Sequence, residues 1–443
     1  MTNPIIVEIN EAFKDAEDFF IEPFILDGEA VLLLGLHSIV NLIKTKEILK
    51  KDMDTSEAIH SVKVKRTLFK RKCVEINSEE AIESILQGKL IVYSKEKNIM
   101  LQFEPLPKEL TRSIEPPANE NVLQGPLDSF IEDMSTNIGI VRKKVSTAQL
   151  SVKTYTVGSD QKKNLSIVYL NDRADKSMIK KIISHIEMNQ HTNILYLQHL
   201  YRFMGMRKWE VIPQFNNTEM PLEAVDGLNK GKVILFVDGY PFALILPLLL
   251  WDMFVQANDR NYAYPIMGAI RFLRVLGALI TLIFPAIYVA LVAVNPEILK
   301  IELALSIAQS REGIPYPPFV EITIMLLIIE LIIEASIRLP LSIGPTVTMV
   351  GGIVIGQAVV DAKLVSNLLI IIVAATSIAN STVVGFQNAL ILRLLKYVVV
   401  IFASIYGVLG ILSGLVFISA YFASREIFGI PYTSFAKRRG EIG

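Results

Sequence analysis

The chain has 443 residues, in which 44 Lys+Arg balance 44 Asp+Glu. That length accommodates two or three domains, and the balance gives no reason to expect nucleic acid as a partner. Cys73 is the only cysteine, which excludes an intrachain disulfide and a Cys-rich metal site.

The average conceals a division. Most of the charge lies before about residue 240, and the remainder is dominated by Leu, Ile, Val, Ala and Gly. The chain therefore reads as a soluble half fused to a membrane half. Residues 1–20 carry neither a basic n-region nor an apolar h-region, so the soluble half is expected to stay cytoplasmic.

Two segments of the soluble half resemble each other. Leu86-Gln-Gly-Lys-Leu-Ile-Val-Tyr93 runs through a polar turn into Asn98-Ile-Met-Leu101, and Asn229-Lys-Gly-Lys-Val-Ile-Leu-Phe236 runs through Asp238-Gly239 into Pro241-Phe-Ala-Leu244. Each reads as a helix end, a Gly-Lys turn, a buried strand, a polar turn and a second strand. Upstream of each lies an apolar run followed by a helical pattern: Val31–Leu34 before Ser38–Lys50, and Leu165–Leu170 before Lys176–Met188. The repetition predicts two related α/β subdomains. Between them, Pro105–Pro126 reads as a linker. Ser78 with Glu79 and Glu80 marks a helix start. A helix is expected over Asp128–Val145, with Asn137 and the basic Arg142-Lys143-Lys144 on or beside its polar face. That cluster suits either a solvated helix end or a contact with a partner subunit or anionic lipid.

No enzyme signature is present. The five histidines lack an HExxH-type spacing, and no G-x-x-x-x-G-K-[ST] phosphate loop occurs. No cofactor and no metal is expected.

In the second half, Phe242–Phe254 is too short for a span and suits an interfacial or re-entrant segment. Val275–Val294 reads as a span, preceded by Arg271 and Arg274 on one helix face. Phe319–Ile337 carries Glu330, Glu334 and Arg338 at i, i+4, i+8, so the three form one stripe. Such a ladder either neutralises itself within a bundle or lines an ion path, because ionisable groups facing lipid cost several kcal/mol. Leu341–Val360 has no charge. One face carries Ser342, Thr346, Ile353 and Gln357; an adjoining face carries Pro345, Thr348, Gly352 and Gly356, a small-xxx-small arrangement that permits close helix contact. Leu364–Leu392 and Tyr397–Ser424 complete the apolar runs. The first is interrupted around Asn380 and Ser381; the second holds Gly407, Gly410 and Gly414. Lys437-Arg438-Arg439 favours a cytoplasmic C-terminus. Five spans and one short segment are counted, whereas two cytoplasmic termini require an even number.

A set of ordered motifs resembles the A subunit of the GerA-type spore germinant receptors of Bacillus and Clostridium relatives. They are Gly125-Pro126 with Phe130, Glu132, Asn137 and Arg142; Val237-Asp238-Gly239-x-Pro241-Phe242-Ala243-Leu244; Leu273-Arg274; Pro285-Ala-Ile-Tyr288; and Pro296-Glu297. Further on stand Ser310-Arg311-Glu312-Gly313-Ile-Pro315, Glu321, Glu330, Arg338-Leu339-Pro340, Ile343-Gly344, Ile355-Gly356-Gln357-Ala358 and Phe428-Gly429-Ile430-Pro431-Tyr432. The match covers roughly residues 120–435.

The resemblance implies a subunit of a nutrient-sensing complex in the spore inner membrane, with its N-terminal region on the core side. It implies a transporter-like B subunit and a C lipoprotein as partners, contact with membrane lipid, and self-association into a ring, a pentamer, that forms a gated cation channel. From periodicity and not from the family's motif, the candidate ion pathway is Thr346, Gln357, Glu330 and Glu334. The candidate gating and assembly residues are Arg311, Glu312, Arg338, Gly352, Gly356, Asn137 and Arg142. The alternative is a non-conducting scaffold or a secondary-transporter-like subunit. The expected architecture is an α/β cytoplasmic N-terminal region of two related subdomains (1–115 and 116–239), a polytopic α-helical membrane domain (240–435) and a basic tail (436–443).

Overall fold

A computed structural model describes residues 4–26, 29–54, 74–96, 98–105, 117, 120, 124–339 and 343–434. Cys73, His60, most of the Pro105–Pro126 linker, Pro340–Ser342 and the basic tail lie outside them. The chain forms two units. One takes residues 1–248 with Ile427–Ile430; the other takes Leu249–Glu426 with Pro431–Ser434.

The first unit is built twice from one plan. The first copy runs α1 (Pro4–Ala12), β1 (Phe19–Leu26), β2 (Glu29–Leu36), α2 (Leu42–Asp54), β3 (Val74–Ile76), α3 (Ser78–Leu86), β4 (Leu90–Ser94) and β5 (Ile99–Phe103). The second runs α4 (Met134–Lys144), β6 (Leu150–Val157), β7 (Lys163–Leu170), α5 (Lys176–Met188), a short α6 (Leu197–Phe203), β8 (Asn216–Thr218), α7 (Pro221–Asn229), β9 (Val233–Val237) and β10 (Ala243–Leu246). Sheet order is β1-β2-β4-β5-β3 in one and β6-β7-β9-β10-β8 in the other. These are the same order position for position, with every pairing antiparallel.

The sequence dictates this through period-2 burial. In β2 and β4, Leu33 and Val92 join the core under α2, while their neighbours Leu34 and Ile91 join the core under α1 and α3. Successive side chains point to opposite faces, so these strands are apolar throughout because both faces are covered. In the second copy, α4 and α7 cover one face through Ile138, Val141, Ala224 and Leu228. Helix α3 starts at Ser78 as expected, and Asn77 just ahead of it is the cap. It forms a reciprocal box in which Glu80 N donates to Asn77 Oδ1 at 2.9 Å and Asn77 N donates to Glu80 Oε2 at 3.2 Å.

Two expectations are corrected. The helix foreseen over Asp128–Val145 begins at Met134, because Asp133 accepts from Thr136 N at 2.8 Å and caps it there. The strand expected at Pro241–Leu244 is present, and the overlapping interfacial reading of the segment from Phe242 gives way to it. Ala243–Leu246 is wholly buried as β10, paired to β9 and β8, so the α/β unit runs to Leu248.

The copies are joined through residues 15–18. Ala16 bridges Val152 on the edge strand β6, Thr154 N donates to Glu17 Oε2 at 2.6 Å, and Val152 N donates to the Asp15 carbonyl at 3.1 Å. The anchor is Arg142. It is only 2% exposed and reaches Asp18 with two prongs, Nε–Oδ2 at 2.8 Å and Nη2–Oδ1 at 2.5 Å. Ser38 Oγ donates to the same Asp18 at 2.7 Å. Both sequence readings of Arg142, a solvated helix end and an outward contact, give way to a buried clamp between the two copies. Asn137, 1% exposed, clamps locally: its Oδ1 accepts from Ile131 N at 2.9 Å and its Nδ2 donates to Ile131 O at 2.6 Å.

Removing one partner of a buried ion pair strands the other, so Arg142→Ala is expected to cost about 3–5 kcal/mol. The Asp18→Ala/Arg142→Ala double variant should recover part of that loss in denaturant unfolding of the full chain; a double variant that loses the full sum of both singles would contradict the clamp. A second expectation concerns Asp175, which caps α5 by accepting from Ser177 N at 2.7 Å. The Ser177 backbone and side-chain hydrogen bonds hold its carboxyl below the ordinary value. A depressed folded pKa gives stability that is present above the ordinary pKa and is lost as pH falls through the folded one. Asp175→Ala should therefore cost about 1 kcal/mol at neutral pH, with the gap closing under acid. A gap independent of pH in thermal unfolding would refute the charge contribution.

Candidate functional site

The second unit is helical. It contains α8 (Tyr264–Val289), continued by a π-turn at Ala290–Val294, then α9 (Ile301–Ser310), α10 (Pro318–Arg338), α11 (Gly344–Asp361), α12 (Asn367–Asn380) and α13 (Phe386–Ala423). Among the described residues, Tyr264–Val294 and Phe386–Ala423 are long and apolar enough to cross a membrane. The run from Leu364 breaks after Asn380, as its polar residues implied, and resumes at Phe386.

Helix α13 is not straight. At Gly407 the backbone adopts φ 58° and ψ −133°. The Phe402 and Phe417 rings then lie with centroids 6.0 Å apart, tilted by 31°, although a straight helix would separate fifteen residues by roughly 22 Å. A Cβ on Gly414 would lie 3.2 Å from Val399 Cα. The helix doubles back as a hairpin, its turn held by Asn295 Oδ1, which accepts from Val408 N at 3.1 Å. Any side chain at position 407 would collide with that oxygen, 1.8 Å from the Cβ position.

Charged groups lie among these apolar helices in three sets. In the first, Asp259, 2% exposed, receives Arg274 Nη1 at 2.6 Å and Nη2 at 2.8 Å, with Arg271 Nε at 3.6 Å. The Arg271/Arg274 face seen in the sequence thus has a carboxylate to meet. In the second, Glu321 has no exposed surface. Tyr288 of α8 donates to its Oε2 at 2.9 Å, Ser366 N before α12 donates to its Oε1 at 2.6 Å, and Arg311 Nε stands 3.4 Å away. A single carboxylate links three helices and the turn after α9. The third set is Glu330, which takes Lys396 Nζ at 2.8 Å and Arg393 Nη1 at 3.6 Å from α13.

The expected stripe is thereby divided. Glu334 and Arg338 pair at 2.7 Å with side chains 57% and 76% exposed, while Glu330 turns to α13. Thr346 and Gln357 lie on the exposed side of α11 with Ile353, and a Cβ at Gly352 or Gly356 would meet nothing within 4 Å. Helix α11 packs on α10 and leaves that glycine edge open. Glu312 is exposed beside Arg311. Asn137 and Arg142 belong to the α/β unit. Sequence reasoning missed Lys396, Arg393, Tyr288, Ser366 and Asp259 as members of the charge sets. The basic pair at i, i+3 in an otherwise apolar run was the available signal for Arg393 and Lys396.

The class so defined is a two-part protein, a duplicated antiparallel α/β unit followed by an apolar helical unit closed by internal ion pairs. A family described as Bacillus/Clostridium GerA spore germination protein matches residues 7–439, and the chain belongs to it. Spore germination protein GerLA of Bacillus cereus is 31% identical over 443 residues, covering 97% of this chain and 89% of that one. Spore germination protein A1 of Bacillus subtilis (strain 168) is 32% identical over 394 residues, covering 88% and 81%. The crystal structure of the N-terminal domain of the A subunit of the Bacillus megaterium spore germinant receptor GerK3 overlaps 57% of this chain and 94% of that one, with TM-score 0.40 and 20% identity.

Glu321→Ala leaves the Tyr288 hydroxyl, Ser366 N and Arg311 without their acceptor and is expected to cost about 3–5 kcal/mol. Arg338→Ala, which opens an exposed pair, should cost less than about 1 kcal/mol. Thermal unfolding of the detergent-solubilised chain compares the two; equal losses would contradict the ranking.

Proposed function

We propose that the chain is the A-type subunit of a nutrient-sensing germinant receptor, with its helical unit crossing the spore inner membrane and its α/β unit on the core side. Copies assemble as a ring, a pentamer, around a nutrient-gated cation path, alongside a transporter-like B subunit and a C lipoprotein. No enzymatic role is part of this reading. The observation that carries it is α11: a helix without charge up to its last residue, Asp361, whose Thr346, Ile353 and Gln357 side is exposed and whose Gly352 and Gly356 edge is open. Small residues let a neighbouring helix approach closely, so the glycine edge suits a second copy while Thr346 and Gln357 line the path. Glu334 and Arg338 are placed at the helix end nearest α11, and Arg311 and Glu312 form the loop that a gate would move. Glu330, held by two cations, is a charge whose release would accompany opening. Gating is then a shift between two packings biased by nutrient bound elsewhere.

One observation favours the alternative of a non-conducting scaffold. Asp259, Glu321 and Glu330 each have basic partners within the chain, as structural glue would.

Potassium release after nutrient addition separates the readings. Spores carrying Thr346→Ala or Gln357→Ala should show altered or constitutive release with intact assembly by membrane pull-down, and Glu330→Gln should alter gating. Normal release in all three would remove the pore assignment; lost assembly would make these residues packing elements.

A further inference from the structure

The third charge set does not balance. Glu330 supplies one carboxylate, whereas Arg393 and Lys396 supply two cations, and no other carboxylate among the described residues pairs with either. The surplus positive charge lies where it is costly. The Lys396 side chain is 6% exposed and that of Arg393 15%, in the interior of an apolar helical unit where an uncompensated ion costs several kcal/mol.

A small cleft opens at this point between α10, α12 and α13, lined on its polar side by Glu330, Arg393, Lys396, Asn380, Ser377 and Thr376. Its hydrogen-bonding capacity is one-sided. Lys396 has three N–H groups and directs one at Glu330. Arg393 Nε donates to Asn380 at 2.8 Å once the amide oxygen faces it, while the Asn380 nitrogen donates to Ala389 O at 3.2 Å. The Thr376 hydroxyl donates to Ile372 O at 2.6 Å, and that of Ser377 has no partner among the described residues. Donors therefore remain on Arg393, Lys396 and Ser377, against a single carboxylate that is already engaged.

We propose that this cleft is a binding site for a small monovalent inorganic anion of the halide class, held by Arg393 and Lys396 with Ser377 completing its shell. The surplus of one positive charge sets the valence, and the cleft's small size excludes organic carboxylates. The bound anion neutralises the set and ties α12 and α13 to α10. This site requires only the helical unit, and neither a ring nor a conducting path.

The test uses the purified full chain in detergent, with sodium held constant while chloride replaces gluconate. The unfolding midpoint should rise with chloride and saturate, as for a ligand that binds only the folded state. Arg393→Gln and Lys396→Met should each abolish the chloride dependence. Glu330→Gln removes the competing negative charge and should lower the half-saturating chloride by about tenfold or more. Bromide should give an anomalous scattering peak between Arg393 and Lys396 in crystals of the unaltered chain, a readout that stands if the variants fail to fold. Identical midpoints in chloride and gluconate, a chloride effect retained in both cation variants, or a bromide-free cleft would each overturn the site. A dependence on phosphatidylglycerol without one on chloride would assign the cations to a lipid phosphate and overturn the halide proposal.

Discussion

A charge placed among apolar helices has to be closed by partners, and the helical unit is arranged around that requirement. Glu321 shows it most directly. With no exposed surface, it accepts hydrogen bonds from Tyr288 and from the backbone before α12, and Arg311 stands beside it from the turn after α9. None of these elements can be displaced without leaving a buried carboxylate short of donors, whose desolvation is worth several kcal/mol. Asp259 with Arg274 and Glu330 with Lys396 repeat the logic at other places in the unit. Apolar packing supplies the bulk of the burial, and these sets decide which helices lie together.

The α/β unit answers a different constraint. Each sheet has five strands whose central members are buried on both faces, so each needs helices above and below. One element plan, used twice, provides them. Arg142 with Asp18 then places a polar clamp at the junction, where a purely apolar seam would let the copies slide. A bidentate guanidinium–carboxylate pair has one geometry, and it fixes the register between α4 and the turn before β1.

Much of the plan was legible in the sequence. The Gly-Lys turns before Leu90 and Val233, and the apolar runs ahead of α2 and α5, identified the repeat because strand periodicity and turn chemistry are local. The order of strands was not local and needed the sheets themselves. Pro241–Leu244 reads both as the second strand of the repeat and as the start of a short membrane segment, because a short run of apolar residues has the same composition in a buried strand as in a membrane edge; the strand reading is the one that holds. Arg142 was misread for a related reason: a helix-end basic cluster looks solvated until a carboxylate 124 positions away is brought to it. Among the ionisable residues of the apolar runs, spacing correctly joined Glu334 to Arg338. It gave no hint that Glu330 turns the other way, since its hydrogen-bonded partner Lys396 lies 66 positions later.

The hairpin at Gly407 changes where the helical unit ends. A hydropathy profile treats Phe386–Ala423 as one element with its ends on opposite sides. The reversal returns the second leg to the level of the first: Val384, just ahead of the hairpin, donates to Met253 O at 3.0 Å, and Tyr432, beyond its end, accepts from Leu250 N at 2.9 Å. The polypeptide thus enters the unit at Leu249–Met253 and leaves it beside the same residues. A single glycine thereby brings the chain back to the place where it entered.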